Sequence, residues 1–532
     1  MDYRKSPFGV FFILFLTLSF SFIKTFDGFP KESSYCATWS SSQYLTEANN
    51  LPPISLANNS IRQIVHVSIG GPTIRIKFSN RLGDSKLELR KVTIANSVSQ
   101  GSGEIDPLTL TTLTFGGKEY VNIYAGLEVY SDPFYYPLKV QSEVAISIFF
   151  GVVPSKLTSH AGSRTFSFIE EGNKIIEKKF SDKYKTAHWY VISAIEVASY
   201  PPRKSVVCYG DSITDGRGST DDKQNRWTDV LSRKLYLNDR TMNVAVVNAG
   251  IGATFVRNEG QERFERDVLD IKGATYIIVL YGVNDILFND ASAEDIIKAY
   301  KTLIGKAHLK NKFIFGATIL PFGKNSNWNE KREKVRNEVN EWIRNSVNDK
   351  EAFDDFFDFD EFTRDPNDEK SMLEKYDCGD GLHPSPEGFE RMVESITNLR
   401  LFTLEPSFDE TDEDSLDIVD KVGVKFRMIF NLNKNEEITV KIRGKSSGSY
   451  GFRIFMTNQD GKKNSDYYFS GQIKVGAFQI TAKLKANELS DYIEILRPIS
   501  TINLDKITLY SVDIETDSDK QSFSPKKDGT LL

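Results

Sequence analysis

Five short apolar runs between residues 203 and 402 constrain this chain more than any other feature. They are Val206–Tyr209, Val244–Val247, Tyr276–Leu280, Phe313–Ile319 and Phe356–Phe359. Segments of helical pattern separate them, including Trp227–Tyr236, Ala293–His308, Glu330–Asn348 and Pro386–Leu401. The last of these opens with Ser385, Pro386 and Glu387, an N-cap and first turn. Strands alternating with helices predict an α/β domain over 203–402 built on a doubly wound parallel sheet. In such a sheet a site is expected just beyond the carboxyl ends of the strands.

The pattern is different on either side. Over 34–200, Val65-His66-Val67-Ser68-Ile69 and Ile74-Arg75-Ile76-Lys77-Phe78 alternate with period two, and Gly70-Gly71-Pro72 turns between them. Repeated short alternating runs predict an N-terminal β-sandwich or jelly-roll-like domain. Residues 403–421 hold eight acids and no base between Glu405 and Asp420, the composition of a self-repelling linker. Alternation returns over 422–515, as in Ile438-Thr439-Val440-Lys441-Ile442, and predicts a C-terminal β-sandwich. Such a module beside an α/β domain fits a carbohydrate-binding role by analogy alone. Residues 516–532 read as a tail.

Residues 1–27 are excluded from the fold. Arg4 and Lys5 precede an uncharged apolar run from Val10 to Ile23. That run is shorter than the ~20 residues needed to cross a bilayer and matches a signal-peptide core. The mature chain is therefore expected to be extracellular, with no stable membrane insertion. The sequon at Asn58 is compatible with that route. A formal net charge of −6 argues against nucleic acid as partner. Three cysteines over 532 residues exclude a disulfide-dense scaffold and a cysteine-rich zinc module. Cys208, inside an apolar run, reads as a buried thiol; pairing of Cys36 with Cys378 stays open.

Four small polar blocks follow the strands. Ser212 in Gly210-Asp211-Ser212-Ile213 stands just after the first strand, where a hydroxyl can act as a nucleophile. Asn248-Ala249-Gly250-Ile251-Gly252 follows the second, and the N–H of Gly252 could donate to an oxyanion. Gly282-Val283-Asn284-Asp285 follows the third; a side-chain amide at Asn284 is a neutral donor that needs no pKa tuning. Asp380-Gly381-Leu382-His383-Pro384 follows the fifth. Three residues apart on a turn, Asp380 can reach Nδ1–H of His383 while Nε2 faces outward, as general-base acyl transfer requires. Each block alone is also ordinary turn material. Their order along one sheet is what makes them a set.

That set resembles the SGNH hydrolases, the GDSL family of esterases and lipases. GDSITDG, NAGIG, GVND and DGLHP stand in the family's order over about 200 residues. The resemblance implies Ser212 as nucleophile, His383 as general base and Asp380 as its orienter. It implies oxyanion donors at Ser212 N–H, Gly252 N–H and the Asn284 side chain, neither metal nor cofactor, and a three-layer α/β/α fold, in agreement with the pattern above. The upstream runs TWSSSQ, SIRQIVHVSIGG, RIKFSNRLGD and YSDPF are similar to a β-domain that precedes the catalytic domain in some secreted members.

Arg217, Asn225 and Trp328 are expected near the substrate, Trp328 as a candidate sugar platform. His66 and His308 read as structural. The partner expected is an ester, in the first instance an acylated carbohydrate. A lipase or lysophospholipase acting on longer acyl chains is the rival enzyme. A non-catalytic extracellular glycan-binding protein is the rival outside enzymes.

Overall fold

The computed structural model describes residues 34–199, 203–238, 241–346 and 351–396, together with the backbones of eight strands between 416 and 523. The leader expected over 1–27 lies outside the described residues. Among those described, no helix is long and apolar enough to cross a membrane.

The α/β domain is built on five parallel strands: β1 (Ser205–Gly210), β2 (Ala245–Gly250), β3 (Ala274–Leu280), β4 (Phe313–Ala317) and β5 (Asp355–Phe357). Their order in the sheet is β2-β1-β3-β4-β5. Every residue of β1 and β4 is buried, as expected of strands covered on both faces. The helices used below are α1 (Ser212–Asp215), α2 (Trp227–Tyr236), α3 (Val283–Asn289), α4 (Ala293–Leu309), α5 (Glu330–Arg344), α6 (Phe359–Thr363) and α7 (Pro386–Glu394). They fall into two groups: α2 and α6 pack on α7, while α3 and α4 pack on α5. Phe359, expected to end the fifth strand, instead begins α6, whose N-cap Asp358 accepts from the Glu361 N–H.

The order reverses at β1, which has β2 on one side and β3 on the other. Crossovers leave β1 in opposite directions, so the loops at its carboxyl end part and leave a crevice. Register makes that edge even: Gly210 pairs with Gly250 and with Leu280. The loops that leave these strands after 210, 250 and 280 therefore start from one level.

Residues 34–199 form antiparallel sheets. One has the order Ser34–Ser40, Ile192–Ser199, Gly71–Ser79, Glu128–Tyr130, with Phe134–Leu138 also paired to Gly71–Ser79. A seven-stranded sheet is centred on Asn59–Val67, Ser142–Phe150 and Leu87–Asn96. Ile74, Ile76 and Val197 of the first share one apolar core with Ile61, Val92 and Ile146 of the second. A third, short sheet joins Trp189–Tyr190, Thr158–His160 and Tyr44–Leu45.

This β-domain is docked on the α/β domain. Strand Ser34–Ser40 lies beside β2, and Ala37 N–H donates to Lys272 O at 2.8 Å. Ala37 is itself part of the α/β core. Further polar links join Gln141 to Ser232 (2.6 Å), Gln224 to Thr165 (3.1 Å) and Arg263 to Ser42 (3.3 Å).

Beyond 416 the strands form a five-stranded and a three-stranded antiparallel sheet. Leu416–Ile418, within the segment read as linker, pairs with Ile507–Thr516; Lys520–Phe523, within the segment read as tail, pairs with the same strand. The three thiols are free: Cys36 and Cys208 are buried and Cys378 is exposed. The pairing left open for Cys36 and Cys378 is therefore absent. Cys36 is instead packed with Ile69 and Ala245 at the domain junction, and burial pushes its thiol up to about 12.

Candidate active site

Ser212 is the first residue of α1, immediately past β1. Asp211 caps this turn: its Oδ1 accepts from Ile213 N–H at 3.0 Å, and Gly216 ends the turn at φ 97°. Burial raises the Asp211 carboxyl to about 7. Arg263 ties the carboxyl ends of two strands together, donating to Gly210 O and Ala249 O, both at 2.8 Å. This fixes the floor on which Ser212 stands.

His383 comes from the loop before α7, 171 residues away in sequence. Its Nε2 lies 2.8 Å from Ser212 Oγ and its Nδ1 lies 2.7 Å from Asp380 Oδ2. The other oxygen of Asp380 accepts from the N–H groups of Leu382 (3.0 Å) and His383 (2.8 Å). The carboxylate is thus held by the same turn that presents the imidazole. With an acceptor at Nδ1, the neutral ring carries its proton there and leaves Nε2 free to accept from Ser212.

Burial disfavours the imidazolium of His383. The Asp380 carboxylate opposes that, whereas the Arg217 and Arg164 guanidiniums reinforce it, and the net result lies below the ordinary histidine value. Burial would raise Asp380, but bonds from His383 outweigh it and hold the carboxyl below its usual range. Each effect keeps the pair as base and carboxylate.

Asn284 enters on the first turn of α3, after Gly282, whose φ of 106° and packing against Ile319 and Tyr300 leave no room for a side chain. One amide hydrogen of Asn284 goes to Thr254 O at 3.0 Å, and the second is spare by count. Gly252 stands beside the nucleophile; a Cβ added there would lie 3.8 Å from Ser212 Cβ. Its N–H, however, is engaged: it donates to Asp215 Oδ2 at 3.2 Å.

The structure distributes the expected substrate residues unevenly. Arg217 is exposed, its backbone N–H bonded to Ser212 O at 2.9 Å, and no side-chain partner holds its guanidinium among the described residues. Asn225 closes a loop by accepting from Thr220 N–H at 3.0 Å. Trp328 donates to Glu333 at 3.3 Å and lines a cleft with α5 that includes none of Ser212, Asp380 and His383. Sequence reasoning left Asp215, Arg164 and His160 unassigned. Asp215 stood within the quoted GDSITDG run, but its partner lies in the other domain and no spacing connects them.

Residues 208–391 match the model of the GDSL-like Lipase/Acylhydrolase family. Among solved structures, similar chains include a putative lipolytic protein of the G-D-S-L family from Desulfitobacterium hafniense DCB-2, at 24% identity over 36% of this chain and 97% of that one, TM-score 0.30. A mutant of an acetyl-xylooligosaccharide esterase from Geobacillus Stearmophilus is 19% identical over 38% of this chain and 95% of its own, TM-score 0.30. An acetyl xylan esterase, AlAXEase, is 21% identical over 36% and 96%, TM-score 0.29. No curated protein matches the chain. With the family's four blocks standing in order along one sheet edge, residues 208–391 of this chain constitute a GDSL-like lipase/acylhydrolase domain.

Proposed function

We propose that this protein is a secreted serine esterase that hydrolyses carboxylic esters through an acyl-enzyme. The observation that carries the reading is the unbroken chain Ser212–His383–Asp380, with contacts of 2.8 and 2.7 Å. Ser212 Oγ attacks the ester carbonyl as His383 Nε2 takes its proton. The imidazolium so formed is stabilised by Asp380 and protonates the departing alcohol. Ser212 N–H and the spare amide hydrogen of Asn284 receive the oxyanion. Water, deprotonated by His383, then releases the acid.

The groups around the triad favour a small acyl unit on a polar alcohol, such as an acetylated polysaccharide. Arg217 is exposed, and both Arg217 and Arg164 act electrostatically on His383, so the surroundings are cationic rather than greasy. A glycan that carries carboxylates would suit such surroundings, which makes pectin as natural a test as xylan. Acetate release from acetylated pectin and xylan, beside a p-nitrophenyl ester series and a Ser212→Ala control, tests the reading. Acetate release that vanishes with Ser212→Ala supports it. Activity that rises toward eight carbons or more moves the assignment to a lipase. Turnover that survives Ser212→Ala removes the proposed chemistry.

A further inference from the structure

The β-domain reaches the catalytic centre through one buried pair. His160, on strand Thr158–His160, places its Nε2 2.9 Å from Asp215 Oδ1. His160 and Asp215 are 4% and 5% exposed, so solvent does little to screen either. The ring is clamped. Its Nδ1 lies 2.8 Å from Ser42 O, it stacks on Trp189 at 5.8 Å, and Tyr44 meets it edge-on at 6.3 Å. Gly162 closes the other side, where a Cβ would lie 2.0 Å from Asp215 Oδ2.

The proton inventory follows from the partners. Ser42 O can only accept, so Nδ1 carries a proton. A second proton must lie between Nε2 and Oδ1, because a bare nitrogen lone pair and a carboxylate cannot face each other at 2.9 Å. Whichever atom holds it, the pair has no net charge. The second oxygen of Asp215 holds Gly252 N–H at 3.2 Å, and Gly252 adjoins Ser212. Without His160, an ionised Asp215 would set a bare negative charge beside the position where the oxyanion forms. Arg226, already bound to Asp229 at 2.6 Å, and Tyr44 also feel Asp215.

We propose that His160 is a positioning residue of this active site: it cancels the charge of Asp215 and fixes the carboxylate that holds the Gly252 loop beside Ser212. The β-domain is on this reading a working part of the catalytic centre. The inference rests on the esterase assignment above.

The test uses the full chain with p-nitrophenyl acetate as substrate. His160→Ala is expected to lower kcat by roughly 10²-fold, with KM changed less than about threefold. Asp215→Asn keeps an acceptor for Gly252 N–H and carries no charge. Added to His160→Ala, it is expected to restore kcat by about tenfold or more, whereas two merely structural lesions would compound. A His160→Ala enzyme with wild-type kcat, or a double variant no faster than His160→Ala, overturns the proposal. Should His160→Ala fail to fold, His160→Gln fills the space, leaves Asp215 charged, and is read by the same rescue. Turnover indifferent to Ser212→Ala would sink the esterase reading itself. Ser212-dependent turnover indifferent to His160 would sink only the positioning role.

Discussion

Gly250→Ala should damage this site far more than Gly252→Ala, although Gly252 is the glycine beside the nucleophile. A Cβ on Gly250 would meet Asp215 N at 2.3 Å and the carbonyl carbon of Thr214 at 2.7 Å. Both are backbone atoms of α1, the turn that begins with Ser212, and backbone cannot rotate out of the way. Restoring ordinary contact requires α1 to withdraw by about 1 Å, and overpacking of this kind costs about 1–3 kcal/mol. The larger effect falls on chemistry. Ser212 Oγ sits 2.8 Å from His383 Nε2, and His383 is anchored to Asp380 on a different loop. A shift of about 1 Å in one partner alone is expected to lower kcat about 10²-fold. At Gly252 the added Cβ would lie 3.6 Å from Asp215 Oδ2 and 3.8 Å from Ser212 Cβ, ordinary contacts. Gly252→Ala should therefore stay within about threefold of the parent. Steady-state hydrolysis of p-nitrophenyl acetate, with active sites counted by a fluorophosphonate and folding checked by thermal melting, makes the comparison. A Gly250→Ala enzyme with the parent kcat, or a Gly252→Ala enzyme the more impaired of the two, would refute the reasoning.

Two further outcomes follow from the same geometry. On the proposed mechanism Asn284→Ala removes an oxyanion donor and should lower kcat by roughly 10²–10³ with little change in KM; a loss below about tenfold in steady-state kinetics removes Asn284 from that role. The base form of His383 is the active one, so kcat/KM falls as pH drops through its pKa, which burial and then the two arginines hold below the ordinary value. Arg217→Gln removes one cation, raises that pKa and should move the acid limb of the pH–rate profile to higher pH; an unmoved or lowered limb would show that Arg217 does not act on His383.

Much of the α/β domain was legible because its strands are buried on both faces and so read as unbroken apolar runs. Helix Trp227–Tyr236 matches its periodicity residue for residue, and the strands agree to within a few residues. Phe356–Phe359 overruns its strand, which ends at Phe357. Its aromatic run continues from β5 into α6, and only the cap at Asp358 marks the boundary. The short helix α3 was missed because seven residues give too little periodicity. Trp328 followed the same logic. A loop tryptophan after a strand could face either way, and the acceptor on α5 decided it.

The sequence by itself placed the candidate side chains on one edge. Ser212 and Asn284 each sit just past a strand, and a parallel sheet brings the carboxyl ends together, where the loop before α7 adds His383. The Asp380–His383 bond was legible too, because three residues on a turn span it. The tertiary structure alone decided what surrounds them. It engaged Gly252 N–H with Asp215, brought His160 across from another domain, and let the charge of Arg164 act on His383. Those contacts join residues that share no element and no period. Two segments of the α/β domain meet to form the first, and one domain's surface packed on the other makes the rest, which local chain geometry does not encode.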